Sequence, residues 1–95
     1  MTINETAAIK VNLGRVFCTP GVTQELSPQD VQRALKRHIH GDWGDVGEDD
    51  WKENDLSLRE GFRLLSSYKS ERDVKFWVIT EADRSATTVL LPSEY

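Results

Sequence analysis

The sequence predicts an α+β fold in which an N-terminal strand and two to three helices precede a three-stranded antiparallel meander, with the helices packed on one face of the sheet. Three observations support this prediction. Thr19 and Ser27 each precede a proline, as at helix starts. An apolar stripe with helical spacing follows Ser27, and the last third of the chain alternates apolar and polar residues between turns, as antiparallel strands do.

Length and composition indicate one small soluble domain. The chain has 95 residues, of which 38% are hydrophobic and 29% charged, enough for a single modest core. We expect a flexible tail over residues 1–8 and a single α+β domain over 9–95. No apolar run approaches the roughly 20 residues of a membrane helix, and no secretory signal is seen. These features and the single Cys18 predict a cytoplasmic protein without a disulfide.

The first strand is predicted from alternation near the N-terminus. Ile9, Val11 and Leu13 alternate with polar residues, which is typical of a half-buried strand running to about Cys18. Gly14 interrupts the pattern and predicts a bulge or a close approach of another backbone segment.

Two helices follow, each with a recognisable start. Thr19 is expected to cap a short helix to about Leu26, and Ser27 to cap a longer one with Asp30 at its third position. Gly41 is expected to end the longer helix. Its core-facing stripe consists of Val31, Ala34, Leu35, His38 and Ile39.

A third helix is predicted from a second capping pair. Asp45 with Glu48 three residues later is expected to start a helix that runs through about Arg59 and stops at Gly61. Its inner side includes Trp51 and Leu58.

Residues 62–95 predict the meander. Alternating segments at 62–68, 74–80 and 86–91 are separated by turns at 70–73 and 82–85, and Pro92 stops the last strand. Trp77 and Ile79 face one side of the second segment while Phe76 and Val78 face the other. Because both faces are apolar, we expect this strand to be central.

Charge separates along the chain although the net charge is only -4. Residues 31–40 contain three cations and no acid, whereas residues 42–55 contain seven acids against Lys52 alone. The acidic balance argues against a nucleic-acid partner, because such binding depends on cations that neutralise phosphates. The basic segment, in contrast, is suited to an acidic protein surface.

Three stretches resemble a known family. They are RHIHGDWGD at 37–45, ENDLSLREGFRLLSSY at 53–68 and WVITEADRSATTVLLPSEY at 77–95. These segments are similar in sequence to a family of small uncharacterised bacterial proteins carried on plasmids and other mobile DNA, some of which are labelled type I restriction subunit M. The resemblance covers residues 13–95 and implies a mobile-element setting, but no catalytic residues and no cofactor. A methyltransferase is excluded because the chain lacks a glycine-rich strand-to-helix turn for its cofactor.

The candidate chemistry centres on His38 and Arg84. His38 lies at a helix end, where it is either a general base or a half-buried histidine bonded to a loop carbonyl or to Asp42. A zinc site is not expected, because Cys18 and two histidines are too few ligands. A calcium loop counted from Asp42 fails because its third and fifth positions lack side-chain oxygens. We therefore predict no metal and no cofactor.

A binding surface is predicted around the loop at 42–45. Trp43 either packs under the loop or is exposed as an anchor for a partner. The polar turn at 81–84 is expected to join this loop in a composite surface. The predicted surface consists of Asp42, Trp43, Asp45, Glu81, Asp83 and Arg84.

Two functional hypotheses follow. The first is a non-enzymatic protein-interaction or regulatory module associated with mobile DNA, acting on a protein partner or as a homo-oligomer. The alternative is a small ribonuclease or toxin of the RelE and ParE type, whose order of elements is similar. Its phosphate-binding and proton-transfer residues would be Arg63, Tyr68, Lys75, Arg84 and His38.

Overall fold

The computed structural model describes residues 8–95 and has the predicted α+β class. Apart from Ala8, the tail predicted at 1–8 lies outside the described residues. The strands are β1 (Arg15–Cys18), β2 (Leu64–Lys69), β3 (Lys75–Thr80) and β4 (Ala86–Leu90). The helices are α1 (Pro20–Glu25), α2 (Pro28–Ile39) and α3 (Glu48–Glu60), and a 3₁₀ turn spans Pro92–Glu94.

The four strands form one mixed sheet in the order β1-β4-β3-β2. The meander of β2, β3 and β4 is antiparallel, as expected, because short turns connect its strands. β1 instead pairs in parallel with β4. The helices separate these two strands along the chain, and such a long connection permits either direction. The central position predicted for β3 is confirmed.

The predicted first strand is too long. Only residues 15–18 are a strand, and all four of its residues are exposed. The preceding segment crosses the end of α2, where the backbone N–H groups of Lys10 and Val11 donate to the Ile39 carbonyl over 2.8 and 3.2 Å. Val11 is therefore buried, while Ile9 is 67% exposed. The predicted close approach at Gly14 is confirmed, since a Cβ there would overlap the Ser85 carbonyl.

The helix ends agree with the sequence except at the start of α3. Ser27 and Asp30 form the expected reciprocal cap of α2, and Gly61 ends α3 with φ 80°. The cap predicted at Asp45 is wrong: Gly47 is the N-cap and makes no side-chain hydrogen bond. Asp45 is unavailable because its backbone N–H pairs with the sheet at Ser67 over 2.6 Å.

The helices cover one face of the sheet and bury two hydrophobic clusters. The register places alternate residues of the sheet, such as Phe76, Val78 and Val89, on this covered face. The larger cluster contains Val22, Leu26, Ala34, Tyr68, Phe76, Val78 and Val89. The smaller cluster contains Val11, Trp43 and Leu64, with Leu13, Val46, Trp51 and Leu58 packed against it.

The outer edge of β2 is closed by groups from α3 and the loop before it. The Asn54 side-chain amide donates to the Leu65 carbonyl over 2.7 Å and accepts from the Leu65 N–H over 3.1 Å. Ser67 donates its N–H to the Trp43 carbonyl over 3.0 Å and accepts from Asp45. Since the outward backbone groups of Leu65 and Ser67 have partners, this part of the edge is blocked for further strand pairing. The closure also determines where the 42–45 loop lies.

Candidate functional site

His38 lies in the last turn of α2, points at the covered face of the sheet and is completely buried. Its Nδ1 lies 2.6 Å from Ser66 Oγ and its Nε2 lies 2.9 Å from Thr80 Oγ1. Thr80 Oγ1 lies in turn 2.7 Å from Thr87 Oγ1, which donates to the Leu13 carbonyl over 2.8 Å. The five groups form one buried chain of hydrogen bonds.

The direction of this chain follows from counting protons. A carbonyl oxygen only accepts, so the single Thr87 hydroxyl proton is used on Leu13. Thr87 must then accept from Thr80, and Thr80 must accept from His38 Nε2. His38 is therefore the neutral Nε2–H tautomer, and its Nδ1 accepts from the Ser66 hydroxyl.

The surroundings keep His38 neutral. Burial, and then the positive charge of Arg84, lower the pKa of His38 from 6.5 to about 4. With both nitrogens engaged and no accessible surface, the imidazole has no free lone pair for a substrate. It is not the histidine bonded to Asp42 that the sequence suggested. Its partners are the hydroxyls of the sheet.

Trp43 also lies inside the molecule. Its exposed fraction is 0%, and its indole Nε1 donates to Asp55 Oδ1 over 2.9 Å. Its ring packs edge-on against His38 with a centroid separation of 5.6 Å. Of the two interpretations of Trp43, packing under the loop is therefore the one observed. Its side chain has no surface with which to contact a partner.

Asp42 organises the loop that encloses these rings. Arg37 donates to its carboxylate through Nε over 2.8 Å and Nη2 over 3.2 Å, and the Gly44 N–H donates over 3.1 Å. The hydrogen bond from Arg37 holds the pKa of Asp42 below its usual value. The Asp42 carbonyl accepts from the Tyr68 hydroxyl over 2.6 Å. These contacts give Asp42 a structural role, because they hold the 42–45 loop against Arg37 and Tyr68.

The turn at 81–84 makes its contacts at the end of α3. Arg84 donates to the carbonyls of Phe62 over 2.7 Å and Ser57 over 3.2 Å, at the end of α3. Asp83 accepts from the Ser85 N–H. Within residues 8–95, the hydrogen bonds and ion pairs place no direct link between this turn and the 42–45 loop. Trp43 is buried and cannot belong to the predicted composite surface. The binding role predicted for the other residues of that surface remains a prediction.

The five residues of the ribonuclease hypothesis do not converge. His38 and Tyr68 are buried on the covered face. Lys75 lies on the opposite face, because the register alternates sides along β3. Arg63 also leaves the covered side, where its guanidinium lies 5.4 Å from the Tyr95 ring. No common pocket brings these groups together among the described residues.

The face of the sheet opposite the helices presents aromatic and basic side chains. We call this surface the open sheet face; it comprises Arg15, Phe17, Arg63, Lys69, Lys75, Trp77 and Tyr95. Phe17 is 47% and Tyr95 69% exposed, and Trp77 packs edge-on against Tyr95 with ring centroids 5.6 Å apart. The sequence predicted only that Trp77 lies in a central strand that is apolar on both faces. It gave no sign that the C-terminal turn would return to this face.

One mainly apolar groove contains the single cysteine. A groove of about 350 Å³ between β1, α1 and α2 is lined mainly by Cys18, Val22, Leu26 and Val31. Burial raises the pKa of the Cys18 thiol, which makes it a poor nucleophile at neutral pH. The described part of the chain holds no cluster of three or more potential metal ligands. None of its helices has the length and apolar character to cross a bilayer.

Comparison with protein-family models, with curated proteins and with solved structures finds no match to this chain. Function must therefore be argued from the residues themselves. They divide into an enclosed polar chain around His38 and an accessible aromatic and basic surface on the open sheet face.

Proposed function

We propose that the protein is a small non-enzymatic interaction module that acts by binding a macromolecular partner. The observation that supports this most directly is the distribution of its side chains. His38, the histidine considered for proton transfer, is enclosed with both nitrogens engaged. The open sheet face, in contrast, exposes the rings of Phe17 and Tyr95 beside the guanidinium groups of Arg15 and Arg63.

The composition of that face is suited to binding. Tryptophan, tyrosine and arginine contribute most to binding energy at macromolecular interfaces, because they bury large areas at low entropic cost. Here Trp77 packs edge-on against Tyr95, and the guanidinium of Arg63 also lies beside the Tyr95 ring. We place the contact surface on the open sheet face rather than on the 42–45 loop, because Trp43 is enclosed. A regulatory role is part of this proposal, and so is an association with mobile DNA, which is the setting that the resemblance of the sequence implies.

One experiment separates this module from the ribonuclease alternative. The wild-type chain is expressed in a bacterial host and also incubated in purified form with RNA. We expect normal growth and intact RNA, with no difference between wild type and the His38→Gln or Arg84→Ala variants. RNA cleavage by wild type that either variant abolishes would overturn the proposal.

A matched pair of variants tests the location of the surface. Phe17→Ser removes an exposed apolar side chain from the open sheet face, and Ile9→Ser removes one elsewhere. We expect macromolecules that copurify with wild type to be lost with Phe17→Ser and kept with Ile9→Ser. Equal retention by both folded variants would show that the open sheet face is not the contact surface.

A further inference from the structure

We propose that the partner bound by the open sheet face is single-stranded nucleic acid. This inference rests on the proposed function and names the chemical class of its partner. Three observations carry it: the local charge of the sheet, the unfavourable pairing of two of its lysines, and the arrangement of the aromatic rings.

The sheet is locally basic in an acidic protein. Its four strands contain Arg15, Lys69 and Lys75 but not one aspartate or glutamate. Arg63 immediately precedes β2 and adds a fourth cation. The chain as a whole has 16 acids against 12 lysines and arginines. Acids lie at one margin of the face, where Asp50 and Glu53 of α3 line a groove with Arg63 and Leu65. The strands themselves carry only positive charge, so the net charge of the chain misrepresents the surface formed by Arg15, Lys69 and Lys75.

Two of the cations are placed at a cost to folding. The register pairs Lys69 directly with Lys75 across β2 and β3. Like charges at directly opposed positions destabilise a sheet. Asp73 offsets this only weakly, because its carboxylate is exposed and 3.9 Å from Lys69 Nζ. A bound polyanion would turn the repulsion into attraction, which gives the pair a role that the folded chain alone does not supply.

The aromatic rings are arranged for stacking. Phe17 lies two strands and two residues from Trp77, a separation of roughly 12 Å from standard sheet spacings. The guanidinium of Arg15 lies 5.5 Å from the Phe17 ring centre, and that of Arg63 lies 5.4 Å from the Tyr95 ring centre. Aromatic rings beside arginines are the pattern by which sheets hold successive unpaired bases.

The same features discriminate against other polyanions. A duplex keeps its bases stacked and cannot use Phe17 or Tyr95 as stacking platforms. An acidic peptide could pair with the cations but would not stack on the rings. Single strands alone use both parts of the surface.

Fluorescence anisotropy with labelled oligonucleotides of about 12 thymidines or uridines tests the proposal. We expect binding at low salt that weakens steeply between about 50 and 200 mM salt. Phe17→Ala should weaken it about tenfold through lost stacking. The double variant Arg15→Ala and Lys75→Ala should also weaken it and reduce the salt dependence. All three positions are exposed, so the variants are expected to fold, which circular dichroism checks.

Lys52→Ala is the matched control, because Lys52 is an exposed cation on α3, away from the open sheet face. It should leave the affinity unchanged. Absence of binding to either oligonucleotide at low salt would overturn the inference. So would equal loss with Lys52→Ala, or equally tight binding of the duplex or of a polyglutamate peptide of matched charge.

A denaturing gel of the same samples separates the two proposals. Intact oligonucleotide without binding contradicts only the nucleic-acid inference and leaves the non-enzymatic module standing. Shortened oligonucleotide contradicts the non-enzymatic module itself. Intact and bound oligonucleotide, with the expected response to the variants, supports both.

Discussion

At the scale of single residues, His38 shows how a rare side chain becomes structural. It sits on an apolar stripe, yet its two nitrogens are satisfied by Ser66 and Thr80 on the facing strands. A buried polar group costs free energy unless it is hydrogen-bonded, and here every member of the chain has a partner. The sequence showed the histidine but not the hydroxyls that meet it, because those lie 28 and 42 residues away along the chain.

The neutral state of His38 predicts acid sensitivity. Its pKa is lowered in the folded protein to about 4 from 6.5, so only the unfolded chain takes up a proton between these values. Stability is therefore complete above pH 6.5 and falls as the pH drops toward 4, by about 3 kcal/mol in total. Urea unfolding at a series of pH values measures this loss.

The contribution of Asp30 falls in a different range. Burial raises its pKa, but hydrogen bonds from Glu71 and Ser27 and the charge of Arg33 lower it by more, to below 3.8. Its stabilising effect is thus lost only in more acidic solution.

Two variants test the assignment of the acid sensitivity to His38. His38→Gln should abolish the loss of stability between pH 6.5 and 4, whereas His40→Gln should retain it. An unchanged pH profile in His38→Gln would contradict the assignment.

At the scale of elements, the 42–45 loop acts as a short partner for the edge of β2. The Ser67 N–H donates to the Trp43 carbonyl, and the Asp45 N–H donates to the Ser67 carbonyl. Gly44, between the two loop residues, thereby forms an isolated parallel β-bridge with Ser67. Gly44 has φ 77°, and a Cβ there would overlap the Ser67 carbonyl oxygen. Glycine is required at this position for two physical reasons, its backbone conformation and its closeness to the strand.

Substitution of two nearby glycines tests this requirement. Gly44→Ala should destabilise the protein by about 3 kcal/mol or more, because the added methyl forces the loop away from β2. Gly47→Ala is the control: Gly47 has φ -68° and nothing within 4 Å of a Cβ. Its effect should stay within about 1 kcal/mol, the range of N-cap changes. Equal midpoints of thermal unfolding for the two variants would show that the loop does not depend on this contact.

At the scale of the whole molecule, the segment before β1 joins parts that are distant in sequence. It binds the end of α2 through Lys10 and Val11, and it accepts from Thr87 of β4 through the Leu13 carbonyl. Val11 completes the smaller cluster with Trp43 and Leu64. The helical layer therefore depends on a segment that has no regular secondary structure itself.

Val11→Ala should lower the free energy of unfolding by about 2 kcal/mol, because it leaves a void beside Trp43. Ile9→Ala, two residues away but 67% exposed, should change it by less than about 0.5 kcal/mol. Urea unfolding followed by tryptophan fluorescence compares the two variants. If residues 9–18 formed the single strand that the sequence predicts, Ile9 and Val11 would lie on the same face and the two substitutions would have equal effects. The pair of variants therefore also distinguishes that strand from the observed irregular segment.

The sequence by itself determined the α+β class, the ends of α1 and α2, the stop at Gly61 and the interior position of β3. These features depend on local chemistry: capping hydroxyls, glycine at positive φ and the period of apolar residues. The candidate site was only partly predictable, since the sequence drew attention to the segment around His38 and Trp43 but not to its burial.

Only the tertiary structure decided the rest. It bound Lys10 and Val11 to the end of α2, paired β1 in parallel with β4, and enclosed His38 and Trp43. It also collected Arg15, Phe17, Trp77 and Tyr95, from three separate parts of the chain, on one exposed face. The physical reason is that burial and neighbourhood depend on contacts between distant residues, which a one-dimensional pattern of polar and apolar side chains does not encode.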